Sequence, residues 1–334
     1  MRMRILMEGI RGIMKRNRMV WAAALLVLYF SLWYAPPAER RARFALLAPA
    51  ASTDRILVVA PHIDDEALAA AGFLRVALER GAQVYVVYLT SGDGNRFSAA
   101  ILDRTIHLRP ADLLREGAIR MREAVQAMAV LGIPPGHLFF LGYPDGGLRP
   151  MLTHPEALYT SPRTREHAVP YRSAFSPGAL YTGENLRRDL LRVLCLTRPT
   201  FLIVPVPFDA HPDHQAAGIL INDLLSTLDF RPNLLGYLVH AHLFPRPFAL
   251  APHHPLLPPP QFLSRPWRIF PLPPGVEEEK HRALAKYVSQ RKSPFLLALL
   301  DSFVRKNELF LEERANQDRE GGVAGPCGGA RGNP

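Results

Sequence analysis

The chain has little cysteine, only Cys195 and Cys327 in 334 residues. With no Cys-x-x-Cys anywhere, a thiolate zinc site and a disulfide framework are both set aside. Cys195 lies in an apolar run and reads as a core residue. Cys327 lies in the Gly-rich stretch "ANQDREGGVAGPCGGARGNP", whose composition favours disorder. No internal repeat is found, which excludes a repeat architecture. The folded part also lacks a marked charge excess. The formal net charge is +10, but residues 1–43 carry nine Lys/Arg against two Glu, so seven of those charges flank one hydrophobic segment. A nucleic-acid binder needs its excess on a folded face, so DNA and RNA are not expected partners.

That segment, "MVWAAALLVLYFSLWYAPPA" from Met19 to Ala38, has no charged residue. It approaches the roughly 20 apolar residues that cross a bilayer. Trp21, Trp33 and Tyr34 sit near its ends, where amphipathic rings favour the headgroup level. Arg2, Arg4, Arg11, Lys15, Arg16 and Arg18 precede it, against Arg40, Arg41 and Arg43 just after. The positive-inside rule then puts the N-terminus in the cytoplasm and the following domain outside. A cleaved signal peptide is the competing reading. No small-x-small site follows the apolar run directly, since "APA" at Ala48–Ala50 lies well downstream, so an uncleaved anchor is expected.

At 48% hydrophobic residues the chain can bury a substantial core. Strands and helices alternate along it. Arg55–Ala60 reads as a buried strand, followed by an Ala/Leu-rich helix to about Arg80. Gln83–Thr90 is a β-branched strand, Leu113–Leu131 an amphipathic helix and "HLFFLGY" a short strand. A Pro/Gly/Tyr-rich excursion from about Pro144 to Thr182 is long enough to be a binding loop. Helix Asn185–Leu196, strand "TFLIVPV", helix Asp213–Leu225 and strand "LGYLVHAHLF" follow, and two helices, Glu277–Gln290 and Pro294–Glu312, close the chain. Continuous apolar strands alternating with helices predict an α/β fold: a Rossmann-like open, mostly parallel sheet with helices on both faces.

Two ligand-type clusters stand at strand ends. "APHIDDE" brings His62, Asp64, Asp65 and Glu66 behind the first strand, and "FDAHPDH" brings Asp209, His211, Asp213 and His214 behind another. In open parallel sheets ligands bind beyond the carboxyl ends of the strands, where the strand order reverses. If these strands are neighbours there, His62, Asp65 and His214 could share one metal ion, two imidazoles and a carboxylate being a catalytic-type zinc set. Adjacent Asp64 and Asp65 need not face the same way, which frees one for acid–base work. Taken singly, the acidic run could be a helix cap and His-Pro-Asp-His a polar turn.

"PHIDDE" with "HPDH" resembles the PIG-L/LmbE family of metal-dependent N-deacetylases. "GAIRMREAVQAMAVLGI" is similar to that family's Arg-x-x-Glu helix, "FFLGYPDGGL" to its Leu-Gly-Tyr-Pro-Asp-Gly segment and "ALAKYVSQ" to its Ser-Gln helix. One departure is Ile63, where proline is usual, which bears on loop rigidity rather than on chemistry. Another is Asp209, where some members carry a tyrosine with a general-acid role.

The resemblance implies His62, Asp65 and His214 as metal ligands for zinc, with ferrous iron also acceptable. It implies Asp64 as general base acting on water, and His211, if protonated, as stabiliser of the oxyanion, oriented and charged by Asp213 or Asp209. It implies Arg120 and Asp145 as groups that hold sugar hydroxyls. Asp93, behind another strand, and Asp209 are further candidates to line the pocket. The implied substrate is an N-acetylated amino-sugar glycan or glycolipid, and the apolar segment implies the lipid bilayer as a second partner; a metal-dependent phosphoesterase and a non-catalytic envelope glycan-binding protein on the same fold are the rival readings. The expected organisation is a basic segment 1–18, an anchor 19–38, a linker 39–53, a catalytic domain 54–314 and a disordered tail 315–334. His240 and His242 are read on one strand face, where structural histidines are the safer expectation.

Overall fold

The computed structural model describes residues 44–95, 99–101, 107–313 and 327. The basic segment 1–18, the apolar run 19–38 and most of the tail lie outside them. Among the described residues no helix is long and apolar enough to cross a membrane.

Eight strands form one sheet. In chain order they are β1 (Ala45–Leu46), β2 (Arg55–Ala60), β3 (Gln83–Thr90), β4 (Leu138–Tyr143), β5 (Phe201–Pro205), β6 (Asn233–Tyr237), β7 (Trp267–Pro271) and β8 (Asn307–Glu313). The spatial order is β1-β7-β8-β6-β5-β2-β3-β4. Every pairing is parallel except the two made by β8, with β6 and with β7. The mostly parallel α/β sheet expected from the apolar strands is therefore present. Residues such as Ile56, Leu57, Val58 and Val59 are fully buried, as a sheet covered on both faces requires.

Helices cover both faces. Helices α1 (Asp65–Glu79), α2 (Pro110–Leu131), α6 (Val276–Leu284), α7 (Val288–Arg291) and α8 (Pro294–Ser302) pack among themselves. Helices α3 (Leu148–Thr153), α4 (Gly183–Thr197) and α5 (Pro212–Leu225) form a second group. From β2 the chain winds outward through β3 to β4, then returns to place β5 on the other side of β2. The order reverses between β2 and β5, the strands that carry the two ligand-type clusters.

Four expectations need correction. The closing stretch is not one helix to Glu312: α8 stops at Ser302 and "NELFLEE" is strand β8. Its Glu308 is fully buried. Lys280 Nζ donates to Glu308 Oε1 at 2.7 Å and to the Leu68 carbonyl at 2.8 Å, while the Gly72 and Phe73 amides donate to the same carboxylate. The helix read over Glu277–Gln290 breaks between α6 and α7, because the Ser289 amide and hydroxyl both donate to Glu123 of α2. The strand read through His242 ends at Tyr237. Cys195 is half-buried and disulfide-bonded to Cys327, with Cα atoms 5.2 Å apart. A sequence separation of 132 residues gave that pairing no local signal. In addition Ala45–Leu46, in the stretch read as linker, pairs with β7 as an edge strand.

The Lys280–Glu308 pair makes a stability prediction. Removing one member leaves the other charge buried without its partner, at a cost of about 3–5 kcal/mol. Lys280→Ala is expected to lose about that much in urea unfolding. A loss below about 1 kcal/mol would mean the Gly72 and Phe73 amides satisfy Glu308 unaided.

Candidate metal centre and active site

The turn after β2 and the N-terminus of α1 form one wall of the site. Asp64 has φ +114°, a region in which a residue with a Cβ is strained. Such strain persists only where the surroundings enforce it. Here Arg120 does so from α2. It is buried, donates to the Ile63 carbonyl and to Gly92 O at 3.0 Å, and lies 3.3 Å from Asp64 Oδ2. The Asp64 amide donates to Glu66 Oε2 at 3.2 Å, and Glu66 accepts from the Tyr287 hydroxyl. The rigidity that proline would give at position 63 is thus supplied by a guanidinium clamp on the Ile63 carbonyl. Gly92, at φ +67°, lets that clamp approach: a Cβ there would sit 2.0 Å from Arg120 Nη1.

Asp65 turns the other way, into the sheet edge. Its Oδ2 accepts from the His62 amide at 2.8 Å, lies 3.4 Å from His62 Nδ1 and lies 3.1 Å from His214 Nε2. His214 is fully buried, and neither ring nitrogen makes a hydrogen bond of good geometry. Its Nδ1 lies 3.3 Å from Asp209 Oδ2. Burial disfavours a charged imidazole here, yet Asp65 and Asp209 raise His214 to about 9. The same two carboxylates favour any cation at that point. This is the test of fit for a metal: His62, Asp65 and His214 converge, and a buried imidazole nitrogen there lacks a well-aligned partner. Two imidazoles and a carboxylate are a donor set that zinc or ferrous iron accepts.

Ligand-type atoms group more widely than the sequence suggested. Sets of His62 with His211 and His214, of Asp65 with His214 and His240, and of His62 with Asp145 and Asp213 each lie within 4.8 Å of one another. Every set includes His62 or His214, so they overlap around a single centre. His240 is the residue that sequence reasoning undervalued. It follows β6 on a turn, its ring 4.8 Å from that of His214 and 5.3 Å from that of His211. Its signal was its place behind an apolar strand next to β5. The expected alternation along a strand was misleading, since His242 is exposed.

His211 stands beside His62, ring centroids 4.5 Å apart. Its Nδ1 accepts from the Asp213 amide at 3.2 Å, capping α5, which leaves the ring proton on Nε2. Burial and the neighbouring His62 and His214 push His211 down to about 4. The Asp213 carboxylate does not orient His211. It accepts from the Gly146 and Leu148 amides at 2.7 and 3.2 Å and lies 3.2 Å from His62 Nε2. Nor is Asp209 open to a ligand: it is fully buried and accepts from the His211, Val239 and His240 amides at 2.8, 3.0 and 3.0 Å.

Asp145 and Asp93 meet across the site. Asp93 Oδ1 accepts from the Asp145 amide at 3.2 Å and Asp93 Oδ2 from the Tyr171 hydroxyl at 2.8 Å. Asp145 Oδ2 accepts from the Gly94 amide at 3.1 Å, and its Oδ1 lies 3.6 Å from His62 Nε2. Burial, with Asp145 adding to it, raises Asp93 to about 6, and burial raises Asp64 to about 7 against the pull of Arg120. Tyr171 therefore pins the long loop to the site, and Arg120 holds the catalytic turn from behind.

A doubly wound sheet with a cation-favouring pocket at its switch point marks a metal-site α/β protein. The family model described as GlcNAc-PI de-N-acetylase (PIG-L) matches residues 57–225, and the chain belongs to that family. The 1D-myo-inositol 2-acetamido-2-deoxy-alpha-D-glucopyranoside deacetylase of Tsukamurella paurometabola is 30% identical over 177 residues, 49% of this chain and 52% of that protein. The diacetylchitobiose deacetylase of Thermococcus kodakarensis is 23% identical over 180 residues, 53% and 51%. A probable N-acetyl-alpha-D-glucosaminyl L-malate deacetylase 2 of Bacillus anthracis is 28% identical over 176 residues, 52% and 60%. The chain thus spans about half the length of the curated relatives it matches.

Proposed function

We propose that the protein is a metal-dependent hydrolase that removes the acetyl group from an N-acetylglucosamine-containing glycan or glycolipid. The observation that carries this is the convergence of His62, Asp65 and His214 with Asp64 held alongside by Arg120. The three relatives, each named as a deacetylase of such a sugar, support the choice of bond. His62, Asp65 and His214 would hold the metal, zinc or ferrous iron. When bound it supplies Lewis acidity toward the amide carbonyl and lowers the pKa of water. Asp64 takes the proton from the attacking water and returns it to the departing nitrogen, so acetate and a free amine leave. His211 donates its Nε2 proton to the oxyanion as a neutral imidazole. Asp145, partly open at 11% side-chain exposure, accepts from a sugar hydroxyl. Arg120 and Asp209 act as positioning residues, one holding the turn of Asp64 and the other the ring of His214.

For location, the reading is a single-pass anchor at 19–38 with the catalytic domain outside the cytoplasm. The basic residues before that run support it, and so does the Cys195–Cys327 disulfide, since disulfides persist in oxidising compartments.

The test is a substrate panel with the full chain. Soluble N-acetylglucosaminides, N-acetylglucosaminyl glycolipids and phosphomonoesters are presented with added zinc, and acetate, free amine and phosphate are each quantified. Equimolar acetate and amine is the expected result. Phosphate release without acetate would contradict it.

A further inference from the structure

Helix α8 departs from the rest of the surface. Its sequence, "PFLLALLDS", is apolar along most of its length, yet only Leu300 and Ser302 in it are buried. Phe295 is 64% exposed, Leu296 and Leu297 are half-buried, and Leu299 is half-buried against the core. The Phe295 ring lies 5.4 Å from that of Phe248, so the patch continues onto the segment after β6, where Leu250 is also exposed. Arg305, fully buried, fastens that segment to the turn between α8 and β8 by donating to the Pro247 and Ala251 carbonyls. Isolated apolar side chains on a surface are ordinary, but a contiguous, braced group marks an interaction site.

Position and charge say what covers it. The segment carrying Phe248 leaves the sheet from the carboxyl end of β6, the same edge as His62 and His211. Helix α7, directly before α8, reaches the loop after β3, where Asn95 Nδ2 donates to Gln290 Oε1 at 3.4 Å. The patch therefore flanks the mouth of the site. Lys286 and Lys292 stand beside it in sequence, both exposed, and neither takes part in an ion pair among the described residues. An apolar face flanked in sequence by two exposed lysines suits an anionic lipid surface. A second copy seated face to face would set the same lysines against each other.

The chain's own layout points the same way. Only five residues separate the apolar run ending at Ala38 from Phe44, a reach of about 22 Å at most.

We propose that α8 and the segment around Phe248 form a surface that seats on an anionic bilayer and presents the site mouth to an amphipathic, lipid-linked amino sugar. The substrate half rests on the deacetylase reading; the surface itself does not. The test uses the full chain in phosphatidylglycerol nanodiscs carrying a photoactivatable acyl chain, with labelled peptides mapped by mass spectrometry. Label is expected on residues 294–299 as well as 19–38, falling about tenfold at 294–299 in Phe295→Asp/Leu296→Asp. The peptide around Leu158, 54% exposed on the long loop, is expected to stay unlabelled. Acetate release from a soluble N-acetylglucosaminide, measured on the same samples, is expected to be unchanged by the double substitution and reports an intact fold. Label confined to 19–38 with that activity present overturns the surface and leaves the deacetylase reading standing. Label on α8 with no release from any substrate supports the surface and overturns the substrate half. Chain-to-chain cross-links through Phe295 in place of lipid label overturn the assignment in favour of a second copy.

Discussion

Asp64→Asn is expected to lower kcat for acetate release by about 10²–10⁴-fold, the usual contribution of a positioned general base. The substitution keeps shape and an acceptor oxygen for Arg120, which lies 3.3 Å away, so the strained turn has the same clamp. What it removes is the capacity to take a proton. The metal set is untouched, because Asp65, not Asp64, approaches His62 and His214. Bound metal, read by elemental analysis, should therefore stay near the parent level while turnover collapses. Metal and turnover lost together would place Asp64 among the ligands. Turnover that survives would move the proton transfer to another group.

His214→Ala is the second large effect, and it has the opposite signature. His214 is fully buried between two carboxylates, Asp65 at 3.1 Å and Asp209 at 3.3 Å. Without the imidazole, two of the three proposed ligands remain and two acids face a cavity. Metal content is expected to fall by about tenfold or more after dialysis, with activity falling in proportion. Excess zinc in the assay should restore only a small part of it. Full occupancy and full activity in this variant would assign the metal to the set of His62, Asp145 and Asp213 instead.

Much of this site was legible because its chemistry is local in sequence. "PHIDDE" and "HPDH" each follow an apolar strand, and the rule that α/β sites lie beyond carboxyl strand ends brought them together before any coordinates. The structure agrees, with β2 and β5 adjacent at the reversal of strand order. What stayed hidden depends on long-range pairing. Asp213 looked like the partner of His211, two residues away, yet its carboxylate is taken by the Gly146 and Leu148 amides and by His62. Arg120, which the resemblance implies as a group that holds sugar hydroxyls, is buried and braces the turn of Asp64 through the Ile63 carbonyl. Strand β8 reads in sequence as the end of a helix, because nothing local shows that its Glu308 is buried against Lys280 of α6. The Cys195–Cys327 bond gave no signal for the same reason.

The helix motif beginning at Arg120 also acquires a physical meaning. Arg120 holds the turn of Asp64, and Glu123, one turn along α2, accepts from both the amide and the hydroxyl of Ser289. One helix thereby ties the turn after β2 to the start of α7. This explains why the Arg-x-x-Glu and Ser-Gln signatures occur together in one chain.

The central claim is that one cation held by His62, Asp65 and His214 turns this chain into an N-deacetylase. Its most direct test is a titration of the chelator-treated full chain with zinc, following acetate release from an N-acetylglucosaminide. The account predicts negligible release before addition and a linear rise that levels off near one metal per chain. Release that is complete in the presence of chelator, or that never appears despite stoichiometric bound zinc, would contradict it.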